Sequence, residues 1–248
     1  MKNKITALIL IGFAMAGASV YAQEAASTAV NASGKESVFQ LLLKGGVVMI
    51  PLGLASLVAV TLFFERLIML KKNNVIDEDF IKDLKELTGA SSPKLDKAYE
   101  LCVNNSSPIA RILKTGVERW RKKRSLDYIE KGLEESAVRE VDLMERSLRG
   151  FKIVAGIAPL LGLLGTVYGM IRAFQTVALS SEAIGKAAKL ATGIYEAMVT
   201  TAAGLTIAIP TLLVYYYFAR KVDLFTDEIE KHCSELVDNY LDSQSEER

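Results

Sequence analysis

Glu196 is the only acidic residue in two long apolar stretches, 153–174 and 193–218, and Thr200 and Thr201 follow it about one helical turn on. An ionised side chain near the centre of a bilayer costs several kcal/mol, about 2.5 to 3.5 on insertion scales for Asp, Lys or Arg. A glutamate there normally faces protein or water and is a candidate for proton exchange. Glu196 lies toward the outer end of its stretch, which leaves a second reading open, that its side chain snorkels to the interface. Thr166 stands in the other stretch. A threonine hydroxyl donates and accepts a hydrogen bond, so it can hold a file of water or solvate a carboxyl group at membrane depth. The alternative for each threonine is a bond back to its own helix carbonyl. Around a helix Thr200 stands ~40° from Glu196 and Thr201 ~140° away, so one pore line cannot hold all three tightly.

Other chemistries find little support. His232 is the sole histidine, which almost excludes histidine triads and multi-histidine metal sites. Cys102 and Cys233 are far apart and form no CxxC pair, so a disulfide framework is not expected. No GxxxxGK[ST] loop is present, and ATP-driven transport would need another subunit. The chain reads as non-enzymatic, with no cofactor and no metal. The run Arg119, Arg121, Lys122, Lys123 and Arg124 around Trp120 suits a solvated helix face beneath a membrane better than a nucleic-acid site. A net charge of +1 over 248 residues agrees that nucleic acid is no partner.

The elements that must position Glu196 and the threonines follow from segregation. Half of the residues are hydrophobic and 24% are charged, with mean hydropathy +0.24, so apolar and charged residues are concentrated apart. Residues 1–22 read as a signal peptide: Lys2 and Lys4, an apolar run from Ile5 to Met15, then Val20-Tyr21-Ala22 as a small-x-small site. An uncleaved anchor is the alternative. Residues 23–45 follow outside the cytoplasm, with Val38-Phe39 and Leu41-Leu42-Leu43 suited to the membrane interface.

Residues 46–70 form the first span, closed by Lys71 and Lys72, whose positive charge places that end in the cytoplasm. Residues 71–152 are a charged, helical cytoplasmic region, with helix starts at Asp77, Ser92-Pro93 and Ser107-Pro108. Leu126, Ile129, Leu133, Ala137, Val141, Met144, Leu148 and Phe151 recur at three and four, one apolar stripe on a long helix expected to run into the membrane. The second span is 153–174, a periplasmic link is 175–192, and the third span is 193–218. The C-terminal helix, 219–248, carries the stripe Val222, Phe225, Ile229, Cys233, Leu236 and Tyr240, expected to pack on the earlier one. The fold class is therefore an all-α membrane protein with three transmembrane helices and long cytoplasmic helical extensions. Its N-terminus is periplasmic and its C-terminus cytoplasmic.

Gly162, Gly165 and Gly169 make the second span small-faced, and Ala197, Ala202, Ala203, Gly204 and Ala208 do the same for the third. Small residues let membrane helices approach closely, which favours a packed bundle or a homo-oligomer in lipid. Pro159 and Pro210 are placed to kink their helices.

The segments IAPLLGLLGTVYGMIRAF (157–174) and GIYEAMVTTAAGLTIAIPTLLVYYYF (193–218), after a first span ending in Glu65-Arg66-Leu67, resemble the MotA/TolQ/ExbB proton-channel family, its ExbB branch most closely. The resemblance implies that Thr166 and Thr201 line the pore and that Glu196 is the family's membrane glutamate, favouring Thr201 over Thr200. It implies a pentamer in the bacterial inner membrane around paired single-span helices of an ExbD/TolR-like partner whose aspartate titrates. A TonB-like protein then transmits work to the outer membrane. No aspartate occurs in the three apolar segments here, which fits a titrating group on a partner. MotA-like members have a further membrane helix that this chain does not show, and the signal peptide and polar extension occur in only some of the family. The competing readings are a TolQ-like role in envelope constriction and integrity, and a scaffold that conducts nothing. A small-molecule transporter is disfavoured, because three helices without an inverted repeat enclose no cavity alone.

Overall fold

The computed structural model describes residues 46–89, 93–179 and 185–246. The signal peptide, the segment 23–45 with its Val38-Phe39 and Leu41–Leu43 cluster, Ser92 and Glu182 lie outside the described residues.

The regular structure of the described residues is all helical: α1 (Met49–Met69), α2 (Lys72–Val75), α3 (Glu78–Thr88), α4 (Leu95–Asn104), α5 (Pro108–Arg121), α6 (Leu126–Ser147), α7 (Arg149–Leu179) and α8 (Lys186–Glu246). The all-α class holds. Three stretches are long and apolar enough to cross a membrane: α1, the run from α6 through α7, and α8. Each has an 18-residue window of mean hydropathy 1.8. Helical structure extends into the segment 175–192 from both sides, α7 continuing to Leu179 and α8 beginning at Lys186. The long helix also pauses once, at Leu148, between α6 and α7.

The chain divides into two compact units, to both of which α1, α7 and α8 contribute. The first takes residues up to Ser56 and 155–210. Its buried residues are small, apart from Leu52: Ala158, Ala197 and Ala208 among them. Its large apolar side chains point outward, Leu160 and Met198 being 64% and 65% exposed. That inversion of the usual inside and outside suits helices bathed in hydrocarbon, where close backbone approach replaces the hydrophobic effect as the cohesive term.

The second unit, 57–154 and 211–248, has an ordinary aqueous core. α5 lies at its centre, burying Ile109, Ile112, Leu113, Val117 and Trp120. Ser107 caps it by accepting the Ala110 N–H at 3.3 Å, with Pro108 in the first turn where the missing N–H is harmless. Asp77 caps α3 likewise through Asp79 and Phe80. α4, by contrast, starts at Leu95 after Lys94 with no side-chain cap.

Gly116 of α5 lets α6 and α8 come close. A Cβ there would lie 2.6 Å from Leu133 Cδ2 and 2.8 Å from Leu236 Cδ2. Both stripes enter one core, which holds Ile129, Leu133, Leu148 and Phe151 together with Phe218, Val222, Phe225, Ile229 and Leu236. Phe151 and Phe218 stack with ring centroids 6.0 Å apart, and Trp120 meets Tyr240 edge to face at 5.6 Å.

Polar clasps register the helices. Lys72 bridges Glu78 and Glu228 at 2.9 and 2.8 Å, and Asn239 donates to the Thr88 hydroxyl at 3.0 Å. Glu140, only 12% exposed, takes Arg111 in a two-pronged bond with Nε–Oε1 2.7 Å and Nη2–Oε2 2.5 Å. The bond to Glu140 holds the Arg111 guanidinium above its ordinary pKa. Burial pushes both free thiols, Cys102 and Cys233, up to about 12.

Candidate functional site

Within the first unit α7 and α8 run antiparallel along a seam of small residues. Gly162 faces Thr201 and Gly204, Gly165 faces Thr200, Gly169 faces Ala197, and Ala173 faces Gly193. A Cβ on Gly204 would stand 2.6 Å from the Ala158 carbonyl oxygen, and one on Gly169 would stand 2.7 Å from Ala197 Cβ. Most of the small residues that the sequence offers for assembly are thus turned toward each other inside one chain, whereas Ala202 is exposed. Pro159 and Pro210 sit inside α7 and α8, where each lacks the N–H that an Ala155 or Thr206 carbonyl would otherwise receive.

The threonines sit along this seam unequally. Thr200, 1% exposed, donates to its own Ala197 carbonyl at 2.7 Å and approaches the Gly162 carbonyl of α7 at 3.3 Å. Thr201 is half-buried and donates across the seam to the same Gly162 oxygen at 3.1 Å. Thr166, also half-buried, bonds back to Leu163 at 2.6 Å. So Thr166 takes the local bond, Thr201 the cross-helix bond, and Thr200 shares itself between the two.

Glu196 is half-buried and has no ion-pair partner among the described residues. Its neighbour Ala197 is the seam residue, 3% exposed, so the carboxylate lies beside the seam rather than in it. Thr166, Thr201 and Glu196 keep accessible surface, whereas Thr200 has no room for water on this chain. No cluster of three His, Cys, Asp or Glu suited to a metal occurs among the described residues.

Sequence reasoning passed over Ala158, Ala173 and Gly193, which complete the seam. Their signal was available: small residues at 158, 162, 165, 169 and 173, and again at 193, 197, 200, 204 and 208, recur at three and four. Two such rows of matched length read as partners within one hairpin of helices.

Three apolar spans with a small-residue seam and hydroxyl groups at membrane depth define a membrane protein built for close helix contact. Residues 104–231 match the profile of the MotA/TolQ/ExbB proton channel family, and the chain belongs to that family. The ExbB-like biopolymer transport protein 1 of Synechocystis is 35% identical over 175 residues, 70% of this chain and 67% of that one. The biopolymer transport protein exbB1 of Vibrio cholerae is 34% identical, covering 71% of this chain and 77% of its own. The Tol-Pal system protein TolQ of Pseudomonas aeruginosa is 27% identical over 155 residues, 55% of this chain and 66% of its own.

Proposed function

We propose that this chain is an ExbB-like subunit of an inner-membrane proton channel that couples proton motive force to TonB-dependent transport across the outer membrane. The observation that carries the reading is the pair of hydroxyls beside the seam, Thr166 and Thr201, which keep accessible surface while Thr200 and Gly162 lock the helices, with Glu196 half-buried on another face of α8. The three apolar segments contain no aspartate. The proton carrier is therefore the aspartate of an ExbD/TolR-like single-span partner, enclosed by several copies of this chain, five by family resemblance. The hydroxyl groups and Glu196 solvate the path to that aspartate, and a TonB-like protein carries the work onward. This chain's role is non-enzymatic.

The basic residues Lys71, Lys72, Arg149, Lys152, Arg220 and Lys221 stand at one end of the three spans in sequence. By the positive-inside rule that end is cytoplasmic, which puts the segment 23–45 in the periplasm. An engineered Lys114→Cys, in a chain without native cysteines, then resists an impermeant thiol reagent in intact cells; labelling would refute this orientation.

The likeness to TolQ supports a second reading, in which the same machinery energises envelope constriction. Co-purification separates the two. Expressed beside ExbD-like and TolR-like single-span partners, the chain binds the ExbD-like one under the first reading and the TolR-like one under the second. Binding of neither partner leaves only the scaffold reading.

A further inference from the structure

The second unit carries a groove of about 460 Å³ between α6 and α8 that the proton path does not use. Its floor is apolar. Leu133 and Ile229 are buried, Val141 is half-buried, and Val138 is 59% exposed. Its rim is acidic: Glu130, Glu134 and Asp142 from α6 and Glu230 from α8, with no lysine or arginine among the lining residues. Asp142 holds Arg146 at 3.6 Å, while Glu130, Glu134 and Glu230 have no cationic partner among the described residues.

We propose that this groove receives a cationic amphipathic helix, about three turns long, from a partner protein. The length follows from the rim, since Glu130 to Asp142 spans ~18 Å at the helical rise. An amphipathic helix lays apolar residues spaced at three and four into such a floor, and lysines or arginines at its edges meet the carboxylates on both sides. An acidic lipid headgroup does not fit, because the rim would repel it. A second copy of this chain fits poorly. The cations of α5 lie on a helix whose apolar side is buried in its own unit. The exposed Arg139–Leu143–Arg146 face of α6 offers one leucine, and its Arg146 is already paired.

The test uses the full chain in detergent and a fluorescent peptide of about 15 residues, with leucines at helical spacing and lysines elsewhere. A scrambled peptide of the same composition and a glutamate-for-lysine counterpart are the controls. The amphipathic lysine peptide binds roughly tenfold tighter than either control. The combined Glu130→Lys, Glu134→Lys and Glu230→Lys chain loses roughly tenfold in affinity, whereas Asp83→Lys with Glu86→Lys, on the exposed side of α3, loses none. The corresponding three Glu→Gln changes, which neutralise the rim without reversing it, give an intermediate loss and guard against misfolding. Equal binding of all three peptides, or undiminished binding after neutralisation and reversal, would overturn the proposal. A cross-link supplies the second measurement. With Cys102 and Cys233 replaced by alanine, Ser234→Cys at the groove lip forms a disulfide with a cysteine-bearing lysine peptide when copper phenanthroline and air are added as oxidant. A chain-to-chain disulfide that the peptide fails to suppress would assign the groove to a second copy and sink the proposal.

Discussion

Thr201 of α8 donates its hydroxyl to the Gly162 carbonyl of α7 at 3.1 Å, a bond that crosses the seam between two apolar segments. Gly162 makes it reachable: a Cβ at that residue would lie 3.0 Å from Thr201 Cα and from the Thr200 carbonyl oxygen. The glycine and the hydroxyl are therefore one device. Close backbone approach brings the carbonyl to the threonine, and the bond spares the Thr201 donor an unpaired state in hydrocarbon.

Two glycine-to-alanine changes give opposite signs. Gly204→Ala drives a methyl into the Ala158 carbonyl oxygen, a backbone atom that cannot swing aside, and lowers stability by about 1–3 kcal/mol. Gly156→Ala meets nothing within 4 Å and raises helix stability by about 0.5–1 kcal/mol. Thermal melting of the detergent-solubilised chain reads both. A neutral Gly204→Ala would mean the seam is looser than described.

The Arg111–Glu140 clasp makes a second, separate prediction. Glu140 is nearly enclosed while Arg111 is about half exposed, so solvent screens part of the pair and the loss is moderate. Glu140→Gln keeps the shape but ends the charge-assisted, two-pronged bond, at about 2 kcal/mol. The melting midpoint falls, and high salt lowers the wild-type midpoint less than it would for a fully exposed pair.

Both thiols titrate near 12 in the fold against 9.0 ordinarily, which sets a pH dependence with a definite sign. Above pH 9 the unfolded chain loses thiol protons that the folded chain keeps, so the folded state binds more protons and stability falls as pH rises through this window. At pH 10 the loss is roughly 1 kcal/mol per thiol. The drop in melting midpoint between pH 8 and 10 is therefore smaller in a Cys102→Ala, Cys233→Ala chain than in wild type. An identical drop in both would contradict the burial argument.

Much of this was legible in the residues. The apolar run 46–70 contains α1 (Met49–Met69), and Ser107-Pro108 starts a helix as serine and proline in that order should. The stripe of α6 is buried at Ile129, Leu133 and Met144 because spacing of three and four aligns side chains on one face. Other features were not. GxxxG reports that a close helix partner exists without saying in which chain, and here Gly165 and Gly169 meet Thr200 and Ala197 of the same chain. Nor can composition locate the pause at Leu148, since the apolar period continues through it to Phe151. The separate environments of Thr200 and Thr201 rest on a ~100° rotation that adjacent identical residues do not reveal.

The central claim is that Thr166, Thr201 and Glu196 serve a proton path completed by an aspartate on a partner helix. Proton flux into liposomes containing the chain together with its single-span partner tests it most directly. Thr166→Val and Thr201→Val keep the side-chain shape and remove the hydroxyl, and Glu196→Gln removes the charge while keeping hydrogen-bonding capacity. All three variants assemble with the partner and flux falls in each, while the chain without its partner conducts nothing. Wild-type flux in all three assembled variants would contradict it, and so would loss of assembly in all three, which would make these residues structural.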